Sequence, residues 1–264
     1  MGQHTQKKDE WQVIAASVRG TSHRKSNLPC QDVVEFRCLP NGVLVAALAD
    51  GAGSASLAEV GATVAAQSAI ESLSAAFGKG SQPGPDDDVR AALLNALGKA
   101  RASVVAEAEK RSVRARELAT TLMVAAFTRT RAASAQIGDG AVVVGVAPGT
   151  FDLLTGPPQT EHLNETIFLT ADGALDYAQV KLQSCHVRYG ALLCDGLQLL
   201  ALKYPELVPH SGFFGPLFGF LEKSGPGEET TARLRQFLES PRVTARSDDD
   251  LSLVLAVLRE QTVP

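Results

Sequence analysis

The sequence predicts an α+β fold in which antiparallel sheets pack against each other and helices lie outside them. Runs of β-branched and apolar residues fall into two groups, one before residue 50 and one after residue 120, with long helical segments between and after them. Hydrophobic residues make up 45% of the 264 residues and charged residues 20%, as in an ordinary globular chain. No Gly/Ser-rich linker divides the chain, so we expect one domain over residues 11–264 behind a flexible tail at 1–10.

The first half of the chain changes from strands to helices. Ser54 stands where it could cap the first long helix, and Asp86-Asp87-Asp88 places negative charge at the start of the second, where the helix dipole favours it. The predicted elements are a strand over Trp11–Val18, a loop over Arg19–Cys30, a hairpin of Val33–Cys38 and Val43–Ala49, a helix over Ala55–Phe77 and a helix from Asp86 to about Arg111.

The second half returns to strands and then to helices. Short apolar, β-branched runs predict the strands, and proline and glycine interrupt the helical region. Four phenylalanines there, Phe213, Phe214, Phe218 and Phe220, have the spacing of a helix core rather than of a docking patch. The predicted elements are strands over Thr121–Thr128, Ala132–Ile137, Val142–Val146, Phe151–Leu154, Ile167–Thr170, Ala191–Cys194 and Leu251–Leu258, with helices within 198–240.

Charge and hydropathy exclude several classes of partner. A net charge of −4 gives no reason to expect nucleic acid or an anionic membrane. No apolar run reaches the roughly 18–20 residues of a membrane span, and the N-terminus lacks the apolar core of a secretory signal. Cys30, Cys38, Cys185 and Cys194 form no CxxC pair, which makes zinc unlikely and predicts reduced thiols in a cytoplasmic protein.

Aspartates stand at the ends of several predicted strands. Asp50 ends the run Leu44–Ala49, Asp32 precedes Val33, Asp195 follows Cys194, and the triplet 248–250 precedes Leu251. Asp-Gly by itself is equally a turn signal, so any one of these residues could be a turn residue in an unrelated α+β domain. Together they predict a site for a hard divalent cation, Mg²⁺ or Mn²⁺, if the fold brings the strand ends to one place.

The order of motifs resembles the metal-dependent type 2C serine/threonine phosphatases. Asp50-Gly51-Ala52-Gly53 is similar to the DGxxG segment of that family, and Cys194-Asp195-Gly196-Leu197 is similar to its Thr/Ser-Asp-Gly-Leu segment. The remaining motifs that carry the resemblance are Ala119-Thr120-Thr121-Leu122, Ile137-Gly138-Asp139-Gly140 and Asp249-Asp250-Leu251-Ser252. The resemblance covers nearly the whole chain and implies a central β-sandwich of two antiparallel sheets flanked by helix pairs.

The resemblance also implies a site with two metal ions, Mg²⁺ or Mn²⁺. Asp50 would bridge both ions and the carbonyl of Gly51 would hold one of them, while Asp195 and Asp249 would bind the other. Asp139 with Asp195 would hold a third ion, and Gln31 and Asp32 are further candidate ligands. Water activated by the ions would attack a phosphoserine or phosphothreonine of a protein substrate. Asp50 and Asp195 are thus the implied catalytic residues, and a cognate serine/threonine kinase is an implied partner.

The chain departs from the family pattern around its first loop. Gln31 replaces a glutamate, which predicts weaker binding at one metal site, and Asn27 replaces the arginine that binds phosphate. Arg24 or His23 would then contact the phosphate, or both could be solvated loop residues. Ala52 replaces a histidine proposed as a general acid in some members, which leaves water or His23 to protonate the leaving group. The Pro29-Cys30-Gln31-Asp32 loop, preceded by Ser22-His23, resembles that of a bacterial subgroup.

A second function remains open. With Gln31 in the site, the chain could be a pseudophosphatase that binds a phosphoprotein or a kinase without hydrolysing phosphate. A flap that selects substrates could lie at 172–183 or within 196–227.

Overall fold

The computed structural model describes residues 10–80, 83–158 and 166–259, and most of its strands are ones that the apolar runs predict. Leu251–Leu258 is a strand over the predicted bounds, and the other predicted strands differ by a few residues or less, apart from the one expected at 167–170. Within the described residues the strands are β1 (Trp11–Val18), β2 (Asp32–Cys38), β3 (Leu44–Asp50), β4 (Leu122–Phe127), β5 (Arg131–Ile137), β6 (Ala141–Ala147), β7 (Thr150–Thr155), β8 (Gln179–Ser184), β9 (Tyr189–Leu193), β10 (Leu202–Lys203), β11 (Val208–Pro209) and β12 (Leu251–Leu258).

The long helices lie in the two regions of the chain where the sequence predicts them. Short helices of 4 or 5 residues occur elsewhere among the described residues. Asp86, Asp87 and Asp88 form the first turn of the second long helix, in accord with the helix-dipole argument. The α-helices of the described residues are α1 (Thr21–Lys25), α2 (Ala58–Phe77), α3 (Asp86–Lys110), α4 (Gln198–Ala201), α5 (Ser211–Ser224), α6 (Glu228–Leu238) and α7 (Pro241–Thr244).

The strands form two five-stranded antiparallel sheets. The spatial order is β1-β12-β9-β6-β7 in the first sheet and β2-β3-β4-β5-β8 in the second sheet. β10 and β11 form a separate two-stranded ribbon. Residues from both sheets share one apolar cluster, with Leu44 and Phe127 from one sheet and Val142 and Val254 from the other. The two sheets therefore pack face to face, and the predicted sandwich is confirmed.

Helices cover the outer face of each sheet. β3 is buried along its apolar run because Leu44 and Leu48 face the other sheet while Val45 and Ala47 face the cluster that contains α2 and α3. This explains why the run is uniformly apolar instead of alternating. On the other side, Phe214 of α5 is fully buried in the cluster of the first sheet. Phe213 and Phe218 are buried in the same cluster and Phe220 packs against it, so the phenylalanines are core residues, as predicted.

Two predictions about the ends of elements are wrong. The first long helix begins at Ala58 rather than Ala55, and Ser54 does not cap it. The Ala55 N–H bonds to the Ala52 carbonyl in a turn, and the Leu57 N–H bonds to the Glu117 carbonyl, so the chain enters the helix only after these contacts. The loop predicted over residues 19–30 contains the short helix α1.

Two predictions about the region between residues 166 and 184 also change. Residues 167–170 are not a strand, since the Leu169 N–H bonds to the Thr120 carbonyl while the neighbouring segment forms turns. The candidate flap at 172–183 contains a 3₁₀ turn at Ala174–Tyr177 and most of β8, which pairs with β5 at the edge of the second sheet. β8 was missed because Gln179–Ser184 alternates polar residues with Val180 and Leu182 and so lacks a long apolar run.

The boundaries of the domain stay a prediction. Residues 1–9 of the expected tail and residues 260–264 lie outside the described residues. Among the helices that the structure describes, none combines the length and apolar character that crossing a membrane requires.

Candidate active site

Asp50 and Asp32 stand side by side at one end of the second sheet. Asp50 is the last residue of β3 and Asp32 the first of β2, and the two are directly opposite in the strand pairing. Thr121 fixes the main chain of Asp50: its N–H donates to the Asp50 carbonyl at 2.7 Å, and its Oγ1 accepts the Asp50 N–H at 3.1 Å. The hydroxyl of Thr120 also donates to the Asp50 carbonyl, at 2.9 Å. The Thr-Thr motif thus holds Asp50 in place.

Gly51 allows the chain to turn tightly after Asp50. A Cβ on Gly51 would lie 2.8 Å from the carbonyl oxygen of Gln31 and 2.9 Å from the carbonyl carbon and Cβ of Ala58. The Gly51 N–H also donates to the Gln31 carbonyl at 3.1 Å. A side chain at position 51 would therefore push Asp50 away from the loop that precedes β2.

Asp195 brings the first sheet to the same place. It follows β9, and its carboxyl group interacts electrostatically with that of Asp50. Burial, followed by the nearby carboxylates Asp139 and Asp249, raises the pKa of Asp195 to about 6. Its buried Oδ1 atom has no hydrogen-bond partner. Both sheets thus contribute carboxylates to one acidic cluster.

The carboxylates of this cluster disfavour each other's ionisation. Burial raises the pKa of Asp50 well above its usual range, and the negative charges of Asp32, Asp195 and Asp249 raise it further. Burial also raises the pKa of Asp32 to about 7, against the nearby polar groups of Ser252 and Cys194, which lower it. Bound cations would relieve this repulsion, because opposite charge favours the ionised carboxylates.

Asp139 lies in the tight hairpin between β5 and β6. Gly138 there has φ +115°, a backbone conformation that suits glycine. The hydroxyl of Thr166 donates to Asp139 Oδ2 at 2.6 Å, and the side-chain amide of Gln198 donates to the Asp139 carbonyl. The Tyr204 hydroxyl donates to Gln198 Oε1 at 2.7 Å. These partners of Asp139 were missed, because no motif marks them in the sequence.

The triplet 248–250 divides its roles. Asp249 is exposed, and its negative charge adds to the effect of burial in raising the pKa values of Asp50 and Asp195. Asp250 is 3% exposed and accepts the main-chain N–H groups of Gly20 and Gln31, each at 2.6 Å. Sequence reasoning missed the buried role of Asp250, although the buried strand that follows it was a signal.

The loop before β2 places its candidate residues differently. Gln31 is 2% exposed, and its Oε1 atom has no hydrogen-bond partner. His23 is buried beside Asp250, with Nδ1 at 3.0 Å from Asp250 Oδ1. Arg24 instead reaches away from this pair: its guanidinium donates to Glu239 at 2.7 Å, and its side chain is 46% exposed.

The donor atoms fit hard cations that keep part of their water shell. Within the part of the chain that the structure describes, no group of three or more His, Cys, Asp or Glu side chains is already arranged to hold a metal ion. Buried oxygens of Gln31, Asp32 and Asp195 nevertheless lack hydrogen-bond partners in the same region. Mg²⁺ commonly binds through one or two carboxylates and several waters, so an incomplete set of protein ligands suits it.

Comparison with known proteins agrees with the motif order. The protein phosphatase 2C family matches residues 19–239. Serine/threonine-protein phosphatase 3 of Escherichia coli (strain K12) is 32% identical over 256 residues, which cover 95% of this chain and 99% of that protein. The chain belongs to the protein phosphatase 2C family and is a phosphoprotein phosphatase, a hydrolase.

Solved structures agree in fold. A serine/threonine phosphatase of Staphylococcus aureus superposes with a TM-score of 0.64 at 16% identity, covering 98% of this chain and 100% of that one. A serine/threonine phosphatase of Mycobacterium tuberculosis gives a TM-score of 0.62 at 18% identity, covering 95% and 99%. At these identities the similarity establishes the shared sandwich and not the details of the site.

Proposed function

We propose that this protein is a Mg²⁺- or Mn²⁺-dependent phosphatase that hydrolyses phosphoserine and phosphothreonine in protein substrates. The observation that carries the proposal is the acidic cluster of Asp32, Asp50, Asp195 and Asp249, drawn from both sheets. Burial and then the neighbouring negative charges raise the pKa values of Asp50 and Asp195. Asp139 adds its charge beside Asp195. The substrate class follows from the name of the Escherichia coli relative.

In this proposal Asp50, the Gly51 carbonyl, Asp195 and Asp249 hold two divalent cations. Asp139 serves a third ion, and the neutral oxygen of Gln31 and the carboxylate of Asp32 are nearby candidates. When bound, the cations activate water for attack on phosphorus and neutralise negative charge on the phosphoryl group.

The chain's own contribution is to fix the donors. Thr120 and Thr121 hold the main chain of Asp50 through three hydrogen bonds of 2.7–3.1 Å. The close packing at Gly51 sets the direction in which the chain leaves that residue. Because these groups are held before substrate arrives, little reorganisation is needed in the transition state. A cognate kinase as partner, a cytoplasmic location, and the absence of nucleic-acid and membrane partners stay predictions.

The experiment is hydrolysis of p-nitrophenyl phosphate and of a phosphothreonine peptide in EDTA, Mg²⁺ or Mn²⁺, beside the variant Asp50→Asn. We expect activity only with metal, and a loss of roughly 10³-fold in the variant, because the metal ions lose a charged ligand. Asp87→Asn is the matched control, since Asp87 is exposed at the start of α3. Activity that persists in EDTA or in Asp50→Asn would contradict the proposal.

A pseudophosphatase is the second candidate, favoured by the neutral Gln31 in a buried position of the site. It predicts a folded protein without turnover in any metal that still binds the phosphothreonine peptide. Binding measured by calorimetry beside the turnover assay separates the two functions.

A further inference from the structure

Asp250 is a buried carboxylate that the proposed metal chemistry does not use. Its Oδ1 accepts the Gly20 N–H and its Oδ2 accepts the Gln31 N–H, each at 2.6 Å. These two N–H groups lie at opposite ends of the loop that precedes β2. One carboxylate therefore ties both ends of that loop to the strand end that carries Asp249.

A second set of contacts holds the same loop against the acidic triplet. The N–H and the hydroxyl of Ser22 donate to the Asp248 carbonyl at 2.9 and 2.7 Å. A Cβ on Gly20 would lie 2.3 Å from the carbonyl carbon of Asp249, so only glycine allows this approach. The loop is thus packed tightly where it passes the triplet.

His23 lies in the loop that Asp250 holds at both ends, and its ring is next to the Asp250 carboxylate. Its Nδ1 is 3.0 Å from Asp250 Oδ1, close enough for an ion pair although the angle is not that of a regular hydrogen bond. The imidazole is 11% exposed, so its ring is enclosed except for a small opening. A carboxylate beside one ring nitrogen favours a hydrogen on that nitrogen.

The other ring nitrogen faces the turn that follows Asp50. A Cβ on Gly53 would lie 3.9 Å from His23 Nε2, an ordinary contact distance, and Gly53 is three residues after Asp50. Nε2 makes no hydrogen bond to any residue that the structure describes. A polar nitrogen is thus presented to the side of the site where Asp50 ends its strand.

Arg24 and Asn27 of the same loop do not compete for this position. The Arg24 guanidinium is held by Glu239 at 2.7 Å and by the Arg19 carbonyl at 3.0 Å. Asn27, at the position of the family's phosphate-binding arginine, is exposed. The sequence leaves Arg24 and His23 open as residues that contact the phosphate. Because Arg24 is held elsewhere, the structure favours His23.

We propose that His23 donates a hydrogen bond through Nε2 to an oxygen of the substrate phosphoryl group, and that Asp250 is the positioning residue that aims the ring. This inference rests on the proposed function, because it needs the phosphoryl group at the acidic cluster. In this arrangement both ring nitrogens donate, Nδ1 to Asp250 and Nε2 to the phosphoryl oxygen. His23 thereby takes the role that the family pattern gives to an arginine at position 27.

The test measures inhibition by inorganic phosphate, together with kcat and KM on p-nitrophenyl phosphate in Mg²⁺. We expect His23→Ala to raise the inhibition constant of phosphate and the KM about tenfold, the loss of one charge-assisted hydrogen bond. Lys25→Ala is the matched control, because it removes a positive charge from the same short helix at an exposed position. It should leave both values within about twofold, as surface substitutions usually do.

A double-variant cycle tests the positioning role of Asp250. Asp250→Asn should raise the same constants by less than His23→Ala, and it should add nothing when His23 is already alanine, because the two residues act as one unit. If the two effects multiply, or if His23→Ala leaves the phosphate constant unchanged in a folded protein, the proposal is wrong. His23→Ala alone decides the phosphate contact should Asp250→Asn fail to fold.

A spectroscopic readout separates this proposal from the proposed function. The imidazole ¹⁵N resonances of His23, assigned by their loss in His23→Ala, should shift when inorganic phosphate is added with Mg²⁺. If the wild-type protein is inactive in every metal but these resonances still shift, the hydrolytic function fails and the phosphate contact survives. If the protein is active and the resonances do not shift, only the phosphate contact fails.

Discussion

The chain contains the sequence Asp-Asp-Asp twice, and only the second triplet has a buried member. Asp86, Asp87 and Asp88 form the exposed first turn of α3, where the nearest cation of the second sheet, Arg131, lies 3.4 Å from Asp86. In the triplet 248–250, Asp250 is 3% exposed and is bonded to two main-chain N–H groups. Identical residues thus begin a helix in one place and hold the loop before β2 in the other.

The difference comes from the element that each triplet precedes. A helix begins with the first triplet, and its unpaired N–H groups and dipole favour negative charge in water at its start. A strand buried on both faces comes directly after Asp250, so the chain must enter the interior at once. A carboxylate carried inward there is tolerated only where donors meet it, as the Gly20 and Gln31 N–H groups do.

The largest effect on stability is expected from Asp250→Ala. The substitution leaves the buried N–H groups of Gly20 and Gln31 without an acceptor, which should lower the free energy of unfolding by about 2–4 kcal/mol. Urea denaturation followed by circular dichroism measures this loss. Asp248→Ala is the control from the same triplet, because its side chain is exposed. Equal losses in the two variants would break the distinction between the buried and the exposed member.

A smaller effect is expected from pH on the metal-free protein. Burial raises the folded-state pKa of Asp32 to about 7 and that of Asp195 to about 6, above the ordinary value of 3.8. Between pH 3.8 and these folded-state pKa values, the folded protein therefore holds more protons than the unfolded chain. The free energy of unfolding falls as the pH rises through 6 to 7. From pH 5 to pH 8 we expect a loss of roughly 1–3 kcal/mol in EDTA.

The check is chemical denaturation at both pH values, with and without Mg²⁺. Saturating metal should flatten the pH dependence, because it binds the ionised carboxylates of the folded state. Asp32→Asn should reduce the slope in EDTA, since it removes one of the carboxyl groups whose pKa is raised in the folded protein. A metal-free protein that becomes more stable towards pH 8 would contradict the crowding of negative charge at the site.

The grouping of the strand-end aspartates could be predicted from the sequence, but the division of labour within the triplet could not. Apolar runs that end in Asp50 and Asp195 mark residues at the edge of a core, and the structure places both in one cluster. Which of three adjacent carboxylates turns inward depends on donors from residue 20 and residue 31, more than 200 positions away. Residues 167–170 were predicted to be a strand and are not, and the edge strand β8 was not predicted. Runs of four to six residues carry too little pattern to separate strand from loop.

The smallest effect is expected at the exposed triplet. Asp87→Asn removes one negative charge from the first turn of α3 while keeping the shape of the side chain. The loss of its interaction with the helix dipole should cost about 0.3–1 kcal/mol at low salt and less at high salt. Thermal denaturation at two salt concentrations measures it, and the metal dependence of turnover should not change. A shift in that dependence would mean that residue 87 acts on the site. Position in the fold would then not explain the contrast between the two triplets.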